Sequence, residues 1–316
     1  NLTVVYKTIF THNGYIYMPL SDWGMARTRD SLKPEVLDYS RTSTLSPPPP
    51  QNDGDTYIPN ITRCLVSPNN INHTYIIGGS VYSYYPAMSE SFDYGNKGTY
   101  QIMSPPGLPL YPVISKKSDA TIIDGAITSM DGKNDNLILL MGGGSQKKRI
   151  IDNPDIYGAY YSTNNGINFY KSTFPGKSEL KYKLSIVEDL FTTTNNLATD
   201  RFDSSIVYLY LEGGNEIYKG KKIQAGGFFK SNDAGKTFQF LSSVVQSPDD
   251  EYRNPSWLSL NRAKENYFLL AMKNKGLYLS ENKGENWKLM KGWNSAIACD
   301  CEGDVIVCFG KRDNEK

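Results

Sequence analysis

Short apolar runs of strand length recur along this chain, and polar turns separate them in a repeating order. In residues 122–172 an apolar run over 122–130 is followed by the turn Asp131-Gly-Lys-Asn-Asp-Asn136, a second run over 137–141, and the glycine-led stretch Gly158-Ala-Tyr-Tyr161. Residues 189–240 repeat the order, with 206–211 as second run and Gly227-Phe-Phe229 as the glycine-led stretch. Residues 256–290 are the most compact copy, built from 257–261, 267–272 and Gly276-Leu-Tyr-Leu279. Apolar runs this short, bounded by Asp, Asn and Gly, predict strands joined by tight turns.

Each glycine-led stretch runs into the same polar corner. The three corners are Ser162-Thr-Asn164-Asn-Gly166-Ile-Asn-Phe169, Ser231-Asn-Asp233-Ala-Gly235-Lys-Thr-Phe238 and Ser280-Glu-Asn282-Lys-Gly284-Glu-Asn-Trp287. They resemble the Asp-box, Ser-x-Asp-x-Gly-x-Thr-Trp. A Ser hydroxyl and an Asp or Asn side chain can bond backbone groups across a turn, the Gly admits positive φ, and the closing aromatic buries its ring. None of these residues is catalytic by nature, so the corners read as folding devices, expected on the side away from any binding cleft.

Two altered copies precede these three. Residues 1–40 carry Tyr15-Ile-Tyr-Met18 and Gly24-Met-Ala-Arg27, but glycine and aromatic are missing from the corner Thr28-Arg-Asp30-Ser-Leu-Lys-Pro34. Residues 62–102 carry a stretched corner, Ser91-Phe-Asp93-Tyr-Gly95, with Thr99-Tyr100 displaced. A sixth unit from Ser295 supplies only two strands, 296–301 and 305–309. Repeats of about 40–70 residues with four strands each predict an all-β fold: a β-propeller of four-stranded antiparallel blades, about six or seven blade positions, in one domain over 1–316 with the last blade incomplete. Bare strand edges invite pairing, so the last blade is expected to be completed by strands from the N-terminal segment 3–9 or from another chain.

Insertions mark elaborated surface. Residues 41–59, with Pro47 to Pro50 in succession, read as an extended loop, 104–112 as a second proline-rich loop, and 184–191 as a short helix. Long loops on a rigid frame are where binding is usually built.

Composition narrows the chemistry. A net charge of +1 over 316 residues gives no basic field for nucleic acid, and no apolar run approaches the length of a transmembrane helix. The two histidines, His12 and His73, argue against a histidine-rich metal site or a histidine-based triad, and nothing implies a cofactor or metal. Cys299 and Cys308 face each other across a predicted hairpin, which suits a disulfide; Cys64 and Cys301 would be a second pair, with free thiols as the alternative. Sequons at Asn1, Asn60 and Asn72 suit a secreted glycoprotein, and a chain opening Asn-Leu-Thr without Met reads as a processed protein or a fragment.

The order of segments resembles the second propeller of xyloglucanase-type glycoside hydrolases, in which two Asp-box propellers face each other across a cleft. Ser21-Asp22-Trp23-Gly24-Met-Ala26 stands where that family has Gly-Asp-Ile-Gly-Gly-Phe, Asp124-Gly-Ala-Ile-Thr-Ser-Met-Asp-Gly132 resembles its second-blade opening, and Cys308-Phe-Gly-Lys311 its late Gly-Phe-Gly-Lys. The resemblance implies Asp22 as a catalytic acid or base. Trp23, Tyr84, Tyr85, Tyr160 and Tyr161 offer aromatic faces for sugar, with blade core and rim as the alternative for the paired tyrosines. Here the doubled glycine is reduced to Gly24, with the bulky Trp23 before it, and the opposing propeller that would supply the second carboxylate is absent from this sequence. Sialidases fit less well, because Tyr57-Ile-Pro59 lacks the arginine of their Arg-Ile-Pro. Two functions follow as expectations. One is an extracellular protein that binds or acts on carbohydrate of the β-glucan class, partnered by a glycan or a second propeller; the other is a non-catalytic structural or adhesive protein that assembles with another copy through its blades and loops.

Overall fold

In a computed structural model the chain is described over residues 9–20, 24–29, 38–40, 60–79, 86–96, 99–110, 121–142, 158–176, 178, 195–211, 215–218, 221–224, 226–244 and 256–313. The described chain is all-β and falls into two compact units, Asn1–Lys171 and Ser172–Lys316. Each unit is built on blades, four-stranded antiparallel sheets of the kind that build β-propellers, and the second unit adds two two-stranded sheets. Among the described residues no helix is long and apolar enough to cross a membrane.

The first unit holds three blades. The first is β1 (Ile9–Phe10), β2 (Ile16–Leu20), β3 (Gly24–Thr28) and β4 (Asp38–Ser40); the second is β5 (Asn60–Val66), β6 (Thr74–Gly79), β7 (Pro86–Ser91) and β8 (Gln101–Ile102); the third is β9 (Thr121–Thr128), β10 (Asn136–Gly142), β11 (Gly158–Ser162) and β12 (Tyr170–Lys171). In the second unit the fourth blade is β13 (Leu197–Thr199), β14 (Val207–Leu211), β17 (Gly227–Ser231) and β18 (Gln239–Ser242), with the hairpin β15 (Asn215–Tyr218) and β16 (Lys221–Gln224) inserted before β17. The fifth blade is β19 (Ser256–Leu260), β20 (Phe268–Met272), β21 (Gly276–Ser280) and β22 (Lys288–Leu289), and the sixth sheet is the pair β23 (Trp293–Glu302) and β24 (Val305–Arg312). The inserted hairpin is a feature that the strand reading of 189–240 did not contain.

The second strands β10, β14 and β20 are buried along their whole length. Covered on both faces, they read as unbroken apolar runs instead of alternating ones. Within the first unit, Tyr17 and Met25 of the first blade pack on Ile61, Cys64 and Ile76 of the second. Within the second unit, Tyr208, Tyr210 and Phe228 of the fourth blade pack on Leu258, Phe268 and Leu270 of the fifth.

Four corners share one hydrogen-bond pattern. The hydroxyl of Ser162 accepts from the N–H of Asn164 (3.4 Å) and Gly166 (3.1 Å), Ser231 from Asp233 (3.2 Å) and Gly235 (2.9 Å), and Ser280 from Asn282 (3.3 Å) and Gly284 (2.8 Å). Ser91, in the corner read as stretched, does the same for Asp93 and Gly95, both at 3.2 Å. The stretching is confined to the closing side, where Tyr100 is buried with its hydroxyl against Thr74. Residue and glycine in the turn both take left-handed φ, as at Lys283 (56°) and Gly284 (86°). At Gly284 a Cβ would also overlap the Phe228 ring, so glycine is required twice over.

The four cysteines are free. Cys299 and Cys308 are direct cross-strand partners, as expected, yet the bridge is not formed. Facing residues in an antiparallel pair hold their Cβ atoms about 4.5–5.5 Å apart, wider than the ~3.8 Å typical of a disulfide, and the Cys299 thiol turns instead to the Trp257 carbonyl at 3.4 Å. Cys64 and Cys301 form no second pair: Cys64 is buried in the core between the first and second blades, and Cys301 in the core between the fifth blade and the last sheet.

That last sheet has only two strands. Ile306 and Cys308 face the fifth blade, while Val305, Val307 and Phe309 are 66%, 65% and 70% exposed on the opposite face. Among the described residues no strand pairs with the outer edge of β24, so the expected completion is not found there, and residues 1–8 lie outside the described set.

Candidate functional site

Register makes the corners comparable. Thr74 faces Ser91, Leu137 faces Ser162, Val207 faces Ser231 and Phe268 faces Ser280. Two residues before each facing position a carbonyl receives the N–H of the left-handed corner residue: Asn72 from Tyr94, Asp135 from Asn165, Ser205 from Ala234 and Asn266 from Lys283. Asn72, Asp135, Ser205 and Asn266 are therefore one structural position, and its side chain is free to differ because only its carbonyl is used.

In the third blade that side chain is a carboxylate turned toward the second blade. Asp135 is 1% exposed and accepts from Ser67 Oγ (2.7 Å), Asn69 Nδ2 (2.8 Å) and the Tyr75 hydroxyl (2.9 Å). Burial, and then the Asp135 charge, push the Tyr75 phenol well above the usual tyrosine range, so it stays a hydrogen donor. His73 stands beside them, 5% exposed, with Nδ1 3.7 Å from Asp135 Oδ2 and Nε2 2.9 Å from Glu90 Oε2. A carboxylate only accepts, so Nε2 carries the hydrogen of the His73–Glu90 bond.

The His73 ring is held between Tyr75 (centroids 4.2 Å) and Phe92 (4.0 Å, stacked at 20°). Phe92 itself is 58% exposed. Around it opens a cavity of about 590 Å³ lined also by Asn70, Ser104, Lys133 and Ile167, a size typical of small-ligand pockets. The turn that carries Lys133 to the rim is tied by Asp131, which accepts from the backbone N–H of Asn134 and Lys133 and is lowered to about 2. Glu90 Oε1, Lys133 Nζ, Asn70 Nδ2 and Ser104 Oγ have no partner among the described residues, so donors and acceptors of both kinds are left for a ligand.

Because Asn165, Gly166 and Ile167 line this cavity, the corner at Ser162 lies beside the pocket. The corner at Ser162, expected on the side away from any binding cleft, thus borders a cavity. A corner turned to backbone bonding still presents its outward residue, here Ile167 at 61% exposure.

Of the residues singled out from sequence for catalysis and sugar binding, only Tyr160 and Tyr161 are described, and neither lines this cavity. Asp22, Trp23, Tyr84 and Tyr85 lie outside the described residues, as do the segments 41–59 and 184–191 and Asn1. Tyr160 is 4% exposed and packed within its blade, so it offers no face to a sugar, whereas half-buried Tyr161 leans on exposed Tyr170 at 5.7 Å. Asn60 begins β5, and Asn72 is half-buried in the turn that leads into His73. The count of two scattered histidines says nothing of His73 meeting Glu90 and Asp135. Aligning the repeats would have marked Asp135 as the one carboxylate at its position. Among the described residues no group of three His, Cys, Asp or Glu could hold a metal.

No protein-family model matches the chain, and no curated protein matches it. Among solved structures, a GH74 enzyme of Niastella koreensis is similar over 94% of this chain and 49% of its own, at 14% identity and TM-score 0.47. The GH74 xyloglucanase of Xanthomonas campestris is similar over 90% of this chain and 45% of its own, at 13% identity and TM-score 0.42. A Dyadobacter fermentans protein of unknown function is similar over 98% and 92%, at 12% identity and TM-score 0.45. The chain thus spans about half the length of the two glycoside hydrolases. Likeness at this level decides nothing about ligand or activity, which rest on the chain's own residues.

Proposed function

We propose that this chain is an Asp-box β-propeller protein of the extracellular space that binds carbohydrate of the β-glucan class in the pocket beside His73. One observation carries the reading. A half-exposed aromatic ring, Phe92, stacks on His73 and borders a cavity whose wall, among the described residues, leaves Glu90 Oε1 and the side chains of Lys133 and Ser104 without partners. A pyranose has an apolar C–H face and a rim of hydroxyls that both donate and accept, and this wall is complementary to both.

Binding is favoured over hydrolysis at this pocket. Cleaving a glycosidic bond takes two carboxyl groups facing the substrate, and of the two here Asp135 is buried and occupied by three donors. Asp22 stays a separate proposal for an acid or base. Titration of the protein with a cello-oligosaccharide tests the reading, with Phe92→Ala expected to weaken binding about tenfold. A wild-type protein that binds no glucan at millimolar concentration would remove it.

A second reading, assembly with another copy through β24, is favoured by the row Val305, Val307 and Phe309. Mass that rises with concentration, and falls to that of one chain in Val307→Asp, would support it; a single-chain mass at all concentrations would exclude it.

A further inference from the structure

Among the described residues, the pocket wall holds a carboxylate oxygen with no protein partner, Glu90 Oε1. Glu90 is tied to His73 through Oε2 alone (2.9 Å), and among the described residues Oε1 has no partner, although the side chain keeps 23% of its surface exposed. The His73 ring packs against Tyr75 and Phe92, contacts that favour its orientation toward Glu90. Behind it stands a second carboxylate, Asp135, held in place by Ser67, Asn69 and Tyr75. Glu90 is therefore a positioned anion.

Its surroundings sort the chemistry it can accept. Phe92 lies two residues on from Glu90, and an exposed aromatic face beside a carboxylate attracts a cation by both its quadrupole and the neighbouring charge. Lys133 is the cation that the described wall contributes, and it forms no ion pair with Glu90. Among the described residues the Glu90 carboxylate therefore has His73 as its partner, and no lysine or arginine.

Resting on the carbohydrate reading above, we infer that the pocket selects a glycan unit that carries a free amine, with its ammonium group on Glu90 and its ring face on Phe92. His73 is the positioning residue that holds the Glu90 carboxylate toward the ligand. Asn70 and Ser104 meet the hydroxyls of the same unit.

The test uses the whole chain and three soluble trimers of the same linkage: cellotriose, its N-acetylglucosamine counterpart and its glucosamine counterpart, titrated calorimetrically at about pH 6.5, where an amine of ordinary α-amino basicity carries its proton. The glucosamine trimer should bind at least about tenfold tighter than the neutral two. Glu90→Gln should bring it down to the affinity of cellotriose, and Lys133→Ala should strengthen it further by removing a like charge. Melting temperatures of both variants close to wild type establish that they are folded. Equal affinity for all three trimers would overturn the amine selectivity while leaving the carbohydrate reading in place. Failure of every trimer to bind would remove both. A lysine-containing tripeptide that binds as tightly as the glucosamine trimer would overturn the assignment to a glycan.

Discussion

Tyr75 and Tyr208 occupy the same place in two blades, one residue after the position that faces the corner serine, and both are fully buried. In the first unit Tyr75 donates to Asp135 and its blade carries the His73–Glu90 pair. In the second unit the fifth-blade position equivalent to Asp135 is Asn266, which is exposed, and among the described residues the Tyr208 hydroxyl has no hydrogen-bond partner. Burial comes first in raising both phenols, with nearby carboxylates adding to it. One backbone frame thus supports a buried polar array in one unit and an apolar contact in the other. At the corresponding edge of the fifth blade the charges Lys283–Glu265 and Lys288–Glu281 are paired in solvent instead, where such pairs contribute little. A repeat that uses only its backbone to hold the corner leaves its side chains available for function in a single copy.

The largest test of that contrast is removal of the shared position in each unit. Asp135→Ala strands the donors of Ser67, Asn69 and Tyr75 in a buried site and should cost about 3–5 kcal/mol, whereas Asn266→Ala keeps the carbonyl that matters and should stay within about 0.5 kcal/mol. Urea unfolding of both variants against wild type reads the difference, and equal shifts would break the comparison.

Corner serines come next. Ser91→Ala and Ser231→Ala each remove an acceptor for two backbone N–H groups and should each cost about 1–3 kcal/mol. A much smaller loss at Ser91 would mean that the stretched corner of the second blade is not held as the others are.

Tyrosine variants sharpen the pair itself. Tyr75→Phe should lose about 1–2 kcal/mol because Asp135 gives up a donor, while Tyr208→Phe should be neutral or stabilising because it removes a buried hydroxyl without a partner. Thermal melts that fall equally would contradict the difference in their partners.

Thiol chemistry gives the smallest effect. Cys64 is buried in the first unit and burial pushes its thiol well up, while in the second unit burial lifts half-buried Cys308 to about 11. Near pH 8 only about one Cys308 in a thousand is then thiolate, and alkylation should climb about tenfold per pH unit until the pH passes that value. Mass spectrometry of the folded protein should find Cys64 unlabelled and Cys308 slow; fast labelling of Cys308 at neutral pH would be inconsistent with its setting.

Blade order was legible in the chain because each blade is local. Strands β9 to β11, β14 with β17, and β19 to β21 follow one another at short range, and their apolar runs, glycine leads and serine corners are written consecutively. The sequence also marked the two-stranded last sheet, since the runs 296–301 and 305–309 follow one another across a short polar turn, but with 305–309 apolar throughout it did not mark Val305, Val307 and Phe309 as the outward face. It could not mark the pocket. His73, Glu90 and Asp135 come from two blades and are separated by up to 62 residues, and their meeting depends on how one sheet stacks on the next. For the same reason Tyr160 read as an available ring and is buried, and Cys299 read as half of a bridge and bonds a carbonyl of the neighbouring blade. Period and turn chemistry act between residues close in the chain, so the sequence alone determined the strands and their corners; contact between faces acts across space, so only the tertiary structure decided which side chains share a site.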